Sequence, residues 1–268
     1  MLVLACLLAI FAVFRLRLRQ LRLRSERLEQ AVAERTVALE TAYRRIEEAS
    51  LTDPLTQLRN RRFLEQTIQA DFDMAARKTA DGAPDADLVL LMLDLDHFKQ
   101  VNDIHGHAAG DAVLVQTARL LKQCMRTSDY VVRWGGEEFL LVARFIERKQ
   151  ASALAEKIRA AVEAHPFALP DGQQLKKTVS IGFAAYPFNP ARPAAMTLDT
   201  LQRLADVALY AAKRSWRNAW VGVGARVRGD VAAELAVEQF LADAKAAVAD
   251  GRVEVMVSAA DGTGLRWE

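Results

Sequence analysis

The chain has 268 residues, 51% of them hydrophobic and 26% charged, enough to bury one substantial core and still leave residues for appendages. Its two cysteines, Cys6 and Cys124, stand far apart in unlike surroundings, which excludes a disulfide framework and a cysteine zinc site. A net charge of +2 becomes −3 once Arg15, Arg17, Arg19, Arg22 and Arg24 are set aside, and a mildly acidic body argues against a nucleic-acid surface.

Residues 1–14 read M-L-V-L-A-C-L-L-A-I-F-A-V-F, uninterrupted apolar, and the arginines come at once after them. A full span needs roughly 20 residues, which Leu16 and Leu18 approach if their arginine neighbours snorkel. No basic n-region and no small-residue cleavage site marks a secretory signal. Positive charge directly after the apolar run places the rest of the chain in the cytoplasm. Residues 1–18 are therefore expected to end a transmembrane helix, the last of a larger sensor; the alternative is an apolar leader that anchors nothing. From Leu21 to Ala49 there is neither Pro nor Gly. A heptad frame puts Ser25, Val32, Leu39 and Ile46 at a, and Leu21, Leu28, Arg35, Ala42 and Ala49 at d. Residues 19–50 are expected to be a coiled-coil signalling helix, with Ser25 and Arg35 weakening its seam.

Farther along, the pattern predicts a helix over Arg61 to Arg77, a loop rich in Ala, Asp, Gly and Pro at 79–86, and a strand over Leu88 to Asp94. That strand is continuously apolar, as one buried on both faces would be, and it ends in Asp94, Leu95 and Asp96, where ligands bind in α/β folds. A polar, glycine-rich passage comes next, with Asn102, Asp103, Gly106, His107, Gly110 and Asp111, before a helix over Ala112 to Met125. Asp111 suits two jobs, accepting hydrogen bonds from a purine edge or capping that helix.

Val132 to Leu141 read V-R-W-G-G-E-E-F-L-L, within a hairpin expected over 130–144. A turn at Gly135 and Gly136 lets a ligand approach the backbone, and the adjoining carboxylates of Glu137 and Glu138 suit a hard divalent cation. Asp94 is the natural second ligand beside Glu137. An ordinary surface hairpin reads the same in isolation. Helix Ala151 to Ala164, strand Lys177 to Tyr186 and helix Leu198 to Ser215 complete the body. Beyond Gly224, Val231 to Val248 is helical in pattern and Arg252 to Val257 reads as a strand; no chemistry attaches to this extension, residues 223–268.

Six motifs carry a resemblance over Leu51 to about Gly222. They are D-P-L-T-Q-L-R-N-R-R from Asp53, D-L-D-H-F-K-Q-V-N-D from Asp94, G-H-A-A-G-D from Gly106, G-G-E-E-F from Gly135, S-I-G from Ser180 and A-L-Y-A-A-K from Ala208. With these in register, residues 51–222 resemble the GGDEF family of diguanylate cyclases, in its GGEEF form, which condense two GTP into cyclic di-GMP. The resemblance implies an α/β fold, a palm-type β-α-β-β-α-β core with a mainly antiparallel central sheet flanked by helices, preceded by the long helix. It implies that Asp94, Glu137 and the Leu95 carbonyl ligate Mg²⁺ or Mn²⁺, and that Asn102 and Asp111 read the guanine. Phe98, His107, Gly135 and Gly136 then adjoin the nucleotide, and Lys99, Lys213 and Arg217 meet the triphosphate. Lys213 and Arg217 share a helical face if that helix persists. Glu137 or Glu138 is the candidate base for the ribose 3′-hydroxyl. Arg126 and Asp129 form R-x-x-D, similar to the family's inhibitory site for its own product. A homodimer is expected, because two GTP-loaded domains must face each other, and the N-terminal segment implies the bacterial inner membrane with the catalytic domain cytoplasmic.

Two residues depart from the family pattern, Gln57 and Trp216, each where the motif has Gly. A positive φ at either position would cost about 1 kcal/mol or more. They motivate the alternative reading, a catalytically weak domain acting as a cyclic di-GMP or GTP receptor.

Overall fold

The computed structural model describes residues 51–189, 196–225, 233–251, 253–258 and 264–267, together with Arg15, Arg17, Arg35 and Thr36, which are helical and exposed. The chain divides into two compact units, Met1–Ser50 and Leu51–Glu268. Apart from those four residues, the membrane segment expected over 1–18 and the heptad helix expected over 19–50 lie outside the described residues. Among the described residues no helix is long and apolar enough to cross a membrane.

The second unit runs β1 (Arg59–Asn60), α1 (Arg61–Ala80), β2 (Asp87–Leu95), α2 (Phe98–His105), α3 (His107–Cys124), β3 (Tyr130–Gly135), β4 (Glu138–Ile146), α4 (Ala151–Ala164), β5 (Phe167–Ala168), β6 (Gln174–Leu175), β7 (Val179–Tyr186), α5 (Leu198–Ser215), β8 (Trp220–Ala225), α6 (Ala233–Ala242), α7 (Ala244–Ala249) and β9 (Val253–Val257). Seven strands form one sheet in the order β1-β3-β4-β2-β7-β8-β9. β2 is antiparallel to both β4 and β7, while β7 and β8 run parallel. This is the mainly antiparallel α/β core expected, with helices on both faces.

β2 shows why. All nine of its residues are buried. Val89, Leu91, Leu93 and Leu95 face a core with α2, α3 and α4, whereas Leu88, Leu90 and Met92 face a second core with α1, α5 and α6. A strand apolar at every position has no solvent face to offer, so it must lie at the centre. Alternation then assigns its terminal acid: Asp94 falls on the α5 side, in step with Leu90 and Met92.

Several elements differ from the sequence expectation, among them the short strands β1, β5 and β6 and the division of the helix expected over 231–248 into α6 and α7. Residues 98–105 form a helix of their own, α2, because Phe98 and Val101 supply a buried pair at i, i+3 before Gly106 turns the chain at φ 79°. β8 was not expected, since two glycines interrupt its apolar run; Gly222 is required there because a Cβ would meet the Phe183 ring at 2.2 Å. The sheet also continues past residue 222, for β8 reaches Ala225 and β9 pairs along it from Val221↔Val257 to Ala225↔Val253.

Candidate active site

Antiparallel register makes Asp94 and Glu138 direct cross-strand partners at the ends of β2 and β4. Glu138 also pairs with Gly135 across the hairpin, leaving Gly136 and Glu137 as the turn, with Gly136 at φ 49°. Lys213, in the last turn of α5, sets its Nζ 2.7 Å from Asp94 Oδ2. Burial pushes the Asp94 carboxyl upward, an effect that Lys213 partly offsets and the charges of Glu137 and Asp96 reinforce. Burial likewise raises Glu138, with Asp94 next in effect. Carboxylates that raise one another's proton affinity form a site that attracts a cation.

The donor set fits a hard divalent cation. Asp94 and Glu138 offer carboxylate oxygens side by side at the strand ends, and an ammonium already occupies one of them as a stand-in positive charge. Among the described residues no three His, Cys, Asp or Glu side chains enclose a metal. A cation here would therefore complete its shell with nucleotide oxygens and water, as Mg²⁺ commonly does.

The turn is braced from behind. Arg133 donates from Nε and Nη2 to the Gly136 carbonyl at 3.2 and 3.0 Å, and from Nη1 to both Asp53 oxygens. Burial pushes Asp53 up, but hydrogen bonds from Thr56 and Arg133 outweigh it and hold the carboxyl below its ordinary value. Sequence reading missed Arg133 as a support. The signal was available, since it stands three residues before a turn whose carbonyls need a donor.

On the other side, α2 and α3 carry the expected base readers. A Cβ on Gly110 would lie 1.9 Å from Asn102 Oδ1 and 3.2 Å from the Phe98 ring, so Asn102 occupies the space that glycine leaves. Phe98, expected beside the nucleotide, is 6% exposed and its ring belongs to the core. α3 begins at His107, with Gly106 as its N-cap residue. Asp111 therefore lies inside the helix and exposed, which removes the capping alternative. Lys99 and His107 are exposed on α2 and α3. If Asn102 reads a guanine as the resemblance implies, Gly110→Ala is expected to swing its amide away and erode a preference for GTP over ATP by about tenfold or more, as loss of a positioned polar partner does. Competition kinetics with the two nucleotides would read this, and an unchanged preference would count against Asn102 as a base reader.

Lys213 and Arg217 do not share a helical face. α5 ends at Ser215, and Trp216 and Arg217 both return their N–H to the Ala212 carbonyl, at 3.1 and 3.0 Å. Arg217 and Asn218 then take φ of 51° and 45°, so Arg217 stands exposed beyond the helix. Asp96 holds this reversal: its Oδ2 accepts from the Asn218 N–H at 2.9 Å and from Thr178 Oγ1, while Oδ1 accepts from Ser180 Oγ. Trp216 itself has φ −136°, outside the left-handed region, so its side chain brings no backbone strain. Gln57 does adopt φ 57°, at a cost of about 1 kcal/mol.

The R-x-x-D pair sits in the turn between α3 and β3. Asp129 accepts from the Arg126 N–H through Oδ2 at 2.9 Å and from the Arg144 N–H through Oδ1 at 3.0 Å. Arg126 is exposed.

A family model described as diguanylate cyclase, GGDEF domain, matches residues 50–219. Diguanylate cyclase DgcP of Pseudomonas aeruginosa is 40% identical over 169 residues, 63% of this chain and 23% of that protein. Response regulator PleD of Caulobacter vibrioides is 38% identical over 179 residues, 66% of this chain and 37% of that protein. The chain thus spans less than half the length of these curated relatives. Among solved structures, diguanylate cyclase SiaD of Pseudomonas aeruginosa, in complex with its activator SiaC, aligns with a TM-score of 0.56 at 34% identity, covering 78% of this chain and 75% of that one. The coiled coil and GGDEF domain of DgcB from Caulobacter crescentus, in complex with c-di-GMP, aligns with a TM-score of 0.59 at 28% identity, covering 72% and 96%.

Proposed function

The chain belongs to the GGDEF family of diguanylate cyclases, and from that premise we propose that it condenses two GTP into cyclic di-GMP. Each ribose 3′-oxygen attacks the α-phosphorus of the other GTP, two phosphodiester bonds form, and two pyrophosphates leave with the bonds that held them. The observation that carries this reading is the meeting of Asp94, Glu138 and Lys213 at the strand ends, beside a hairpin whose Gly135 and Gly136 have no side chain.

Asp94, Glu137 and the Leu95 carbonyl would hold Mg²⁺ or Mn²⁺. Such an ion lowers the pKa of the attacking hydroxyl and offsets charge on the phosphates. Glu138 is the better candidate for the base, because burial raises its affinity for a proton while the register keeps it beside Asp94. Lys213 exchanges its hold on Asp94 for the triphosphate, joined by Lys99 and Arg217. Asn102 and Asp111 read the guanine, with His107 beside it.

Two such half-sites are needed for one product, so the working form is a homodimer. Residues 19–50 supply a coiled coil and residues 1–18 a hold on the bacterial inner membrane, leaving the catalytic domain in the cytoplasm. Tethering raises the local concentration of the second domain toward the millimolar range. The purified chain, incubated with GTP and Mg²⁺ across a dilution series, is expected to release cyclic di-GMP with a specific activity that falls as dimers separate. No product at any concentration overturns the enzyme reading, and product at constant specific activity overturns the dimer. The receptor alternative loses part of its motive, since Trp216 carries no strain.

Arg126 and Asp129 are the feedback site for the product. Arg126→Ala keeps the backbone N–H that positions Asp129, so it removes only the guanidinium. Affinity for cyclic di-GMP is expected to fall about tenfold, the worth of a charge-assisted hydrogen bond, while the initial rate is unchanged. Direct titration of parent and variant checks this, and equal affinities would end the feedback claim.

A further inference from the structure

The extension beyond the matched family region is joined to the end of α5. The Arg266 N–H donates to Ser215 Oγ at 2.8 Å. A Cβ on Gly264 would lie 3.5 Å from the Trp216 indole nitrogen, so the backbone at 264 passes close beside that ring. Leu265, Trp267 and Trp216 all pack on the same apolar core as α5, and Trp267 meets Phe240 of α6 edge-on with centroids 5.4 Å apart. β9 is tied on as well, through its ladder with β8 and a reciprocal pair in which the Trp220 N–H donates to Ser258 Oγ and the Ser258 N–H to the Trp220 carbonyl.

Ser215 and Trp216 lie between Lys213, which grips Asp94, and Arg217 and Asn218, which turn back toward Asp96. Whatever fixes residues 215 and 216 thereby fixes where the two cations stand. An indole replaces the family's glycine at this point, and the extension lies against that indole.

We propose that residues 264–267 clamp the phosphate-binding end of α5, with Trp216 as their seat and Ser215 as a positioning residue for Lys213 and Arg217. The proposal rests on the cyclase reading for what those cations bind. The clamp itself does not depend on it. It accounts for a tryptophan that no backbone requirement explains, and it gives the extension a task in substrate binding.

Two measurements on the full chain test it. Ser215→Ala is expected to raise KM for GTP about fivefold, the worth of one ordinary hydrogen bond, with kcat and cyclic di-GMP affinity unchanged; Ser215→Thr, which keeps the hydroxyl, restores the parental KM. Trp267→Ala, at the far end of the clamp, is expected to speed hydrogen exchange at the amides of Trp216, Arg217 and Asn218 while leaving β2 and β4 protected. The exchange experiment needs no turnover, so an inactive parent sinks the cyclase reading without touching the clamp. Unchanged exchange at residues 216–218 overturns the clamp whatever the kinetics, and an unchanged KM in Ser215→Ala of an active parent overturns its role in substrate binding.

Discussion

Replacing Asp94 or Glu137 by alanine is expected to lower cyclic di-GMP formation by about 10²–10³-fold or more, the range seen when one preorganised charge-stabilising group is removed. The physical reason lies in the cluster. Asp94 is 8% exposed and paired with one lysine, and its neighbours Glu137 and Glu138 add negative charge that only a cation relieves. Without Asp94 a divalent ion held there would lose its most deeply set carboxylate. The fold should survive, because Lys213 is 31% exposed at its side chain and reaches water once its partner is gone. Thermal unfolding of Asp94→Ala should therefore track the parent while product formation, measured by chromatography, collapses. Near-parental turnover in either variant would overturn the proposal that these residues hold a metal ion.

How much of the fold and site is legible in the sequence depends on the range of the interactions. Local patterns are readable. The doubly buried strand at 88–94, the helices over 151–164 and 198–215, and the Gly-Gly hairpin each announce themselves within a dozen residues through composition and period. The carboxylates of the site are legible too, because they stand at strand ends and turns. Register is not. That Asp94 faces Glu138 emerges only once β2 and β4 are paired, and that Lys213 reaches Asp94 emerges only once α5 lies on the same sheet face. Asp96 gives no hint that it holds Asn218, a partner 122 residues away. Arg133 and Asp53 meet across 80 residues. The end of α5 misleads for a different reason. Lys213 and Arg217 have helical spacing, but the reversal at Arg217 and Asn218 is held by partners distant in sequence, Asp96 on the Asn218 N–H and Arg159 and Glu163 on its side chain.

Gly182→Ala is expected to destabilise the domain by about 3 kcal/mol, the upper part of the usual range for overpacking, and to impair catalysis with it. Gly182 sits in β7 between Met92 of β2 and Val221 of β8, at the middle of the sheet. A Cβ there would lie 2.0 Å from the Ala205 carbonyl oxygen, 2.1 Å from the Leu209 nitrogen and 2.7 Å from its Cα. These atoms are all helix backbone, so no rotamer change makes room. At Gly222, by contrast, the obstacle is the Phe183 ring, a side chain. The only relief at Gly182 is to lift α5 from the sheet, which separates Ala205, Ala208 and Leu209 from their core and draws Lys213 away from Asp94. For a domain of this size the melting temperature should fall by about 6–12 °C. The close approach of α5 to β7 thus sets both the stability and the reach of Lys213 toward Asp94. A variant that melted within about 2 °C of the parent, a shift worth less than 1 kcal/mol, and kept its KM for GTP would show that α5 does not depend on that contact.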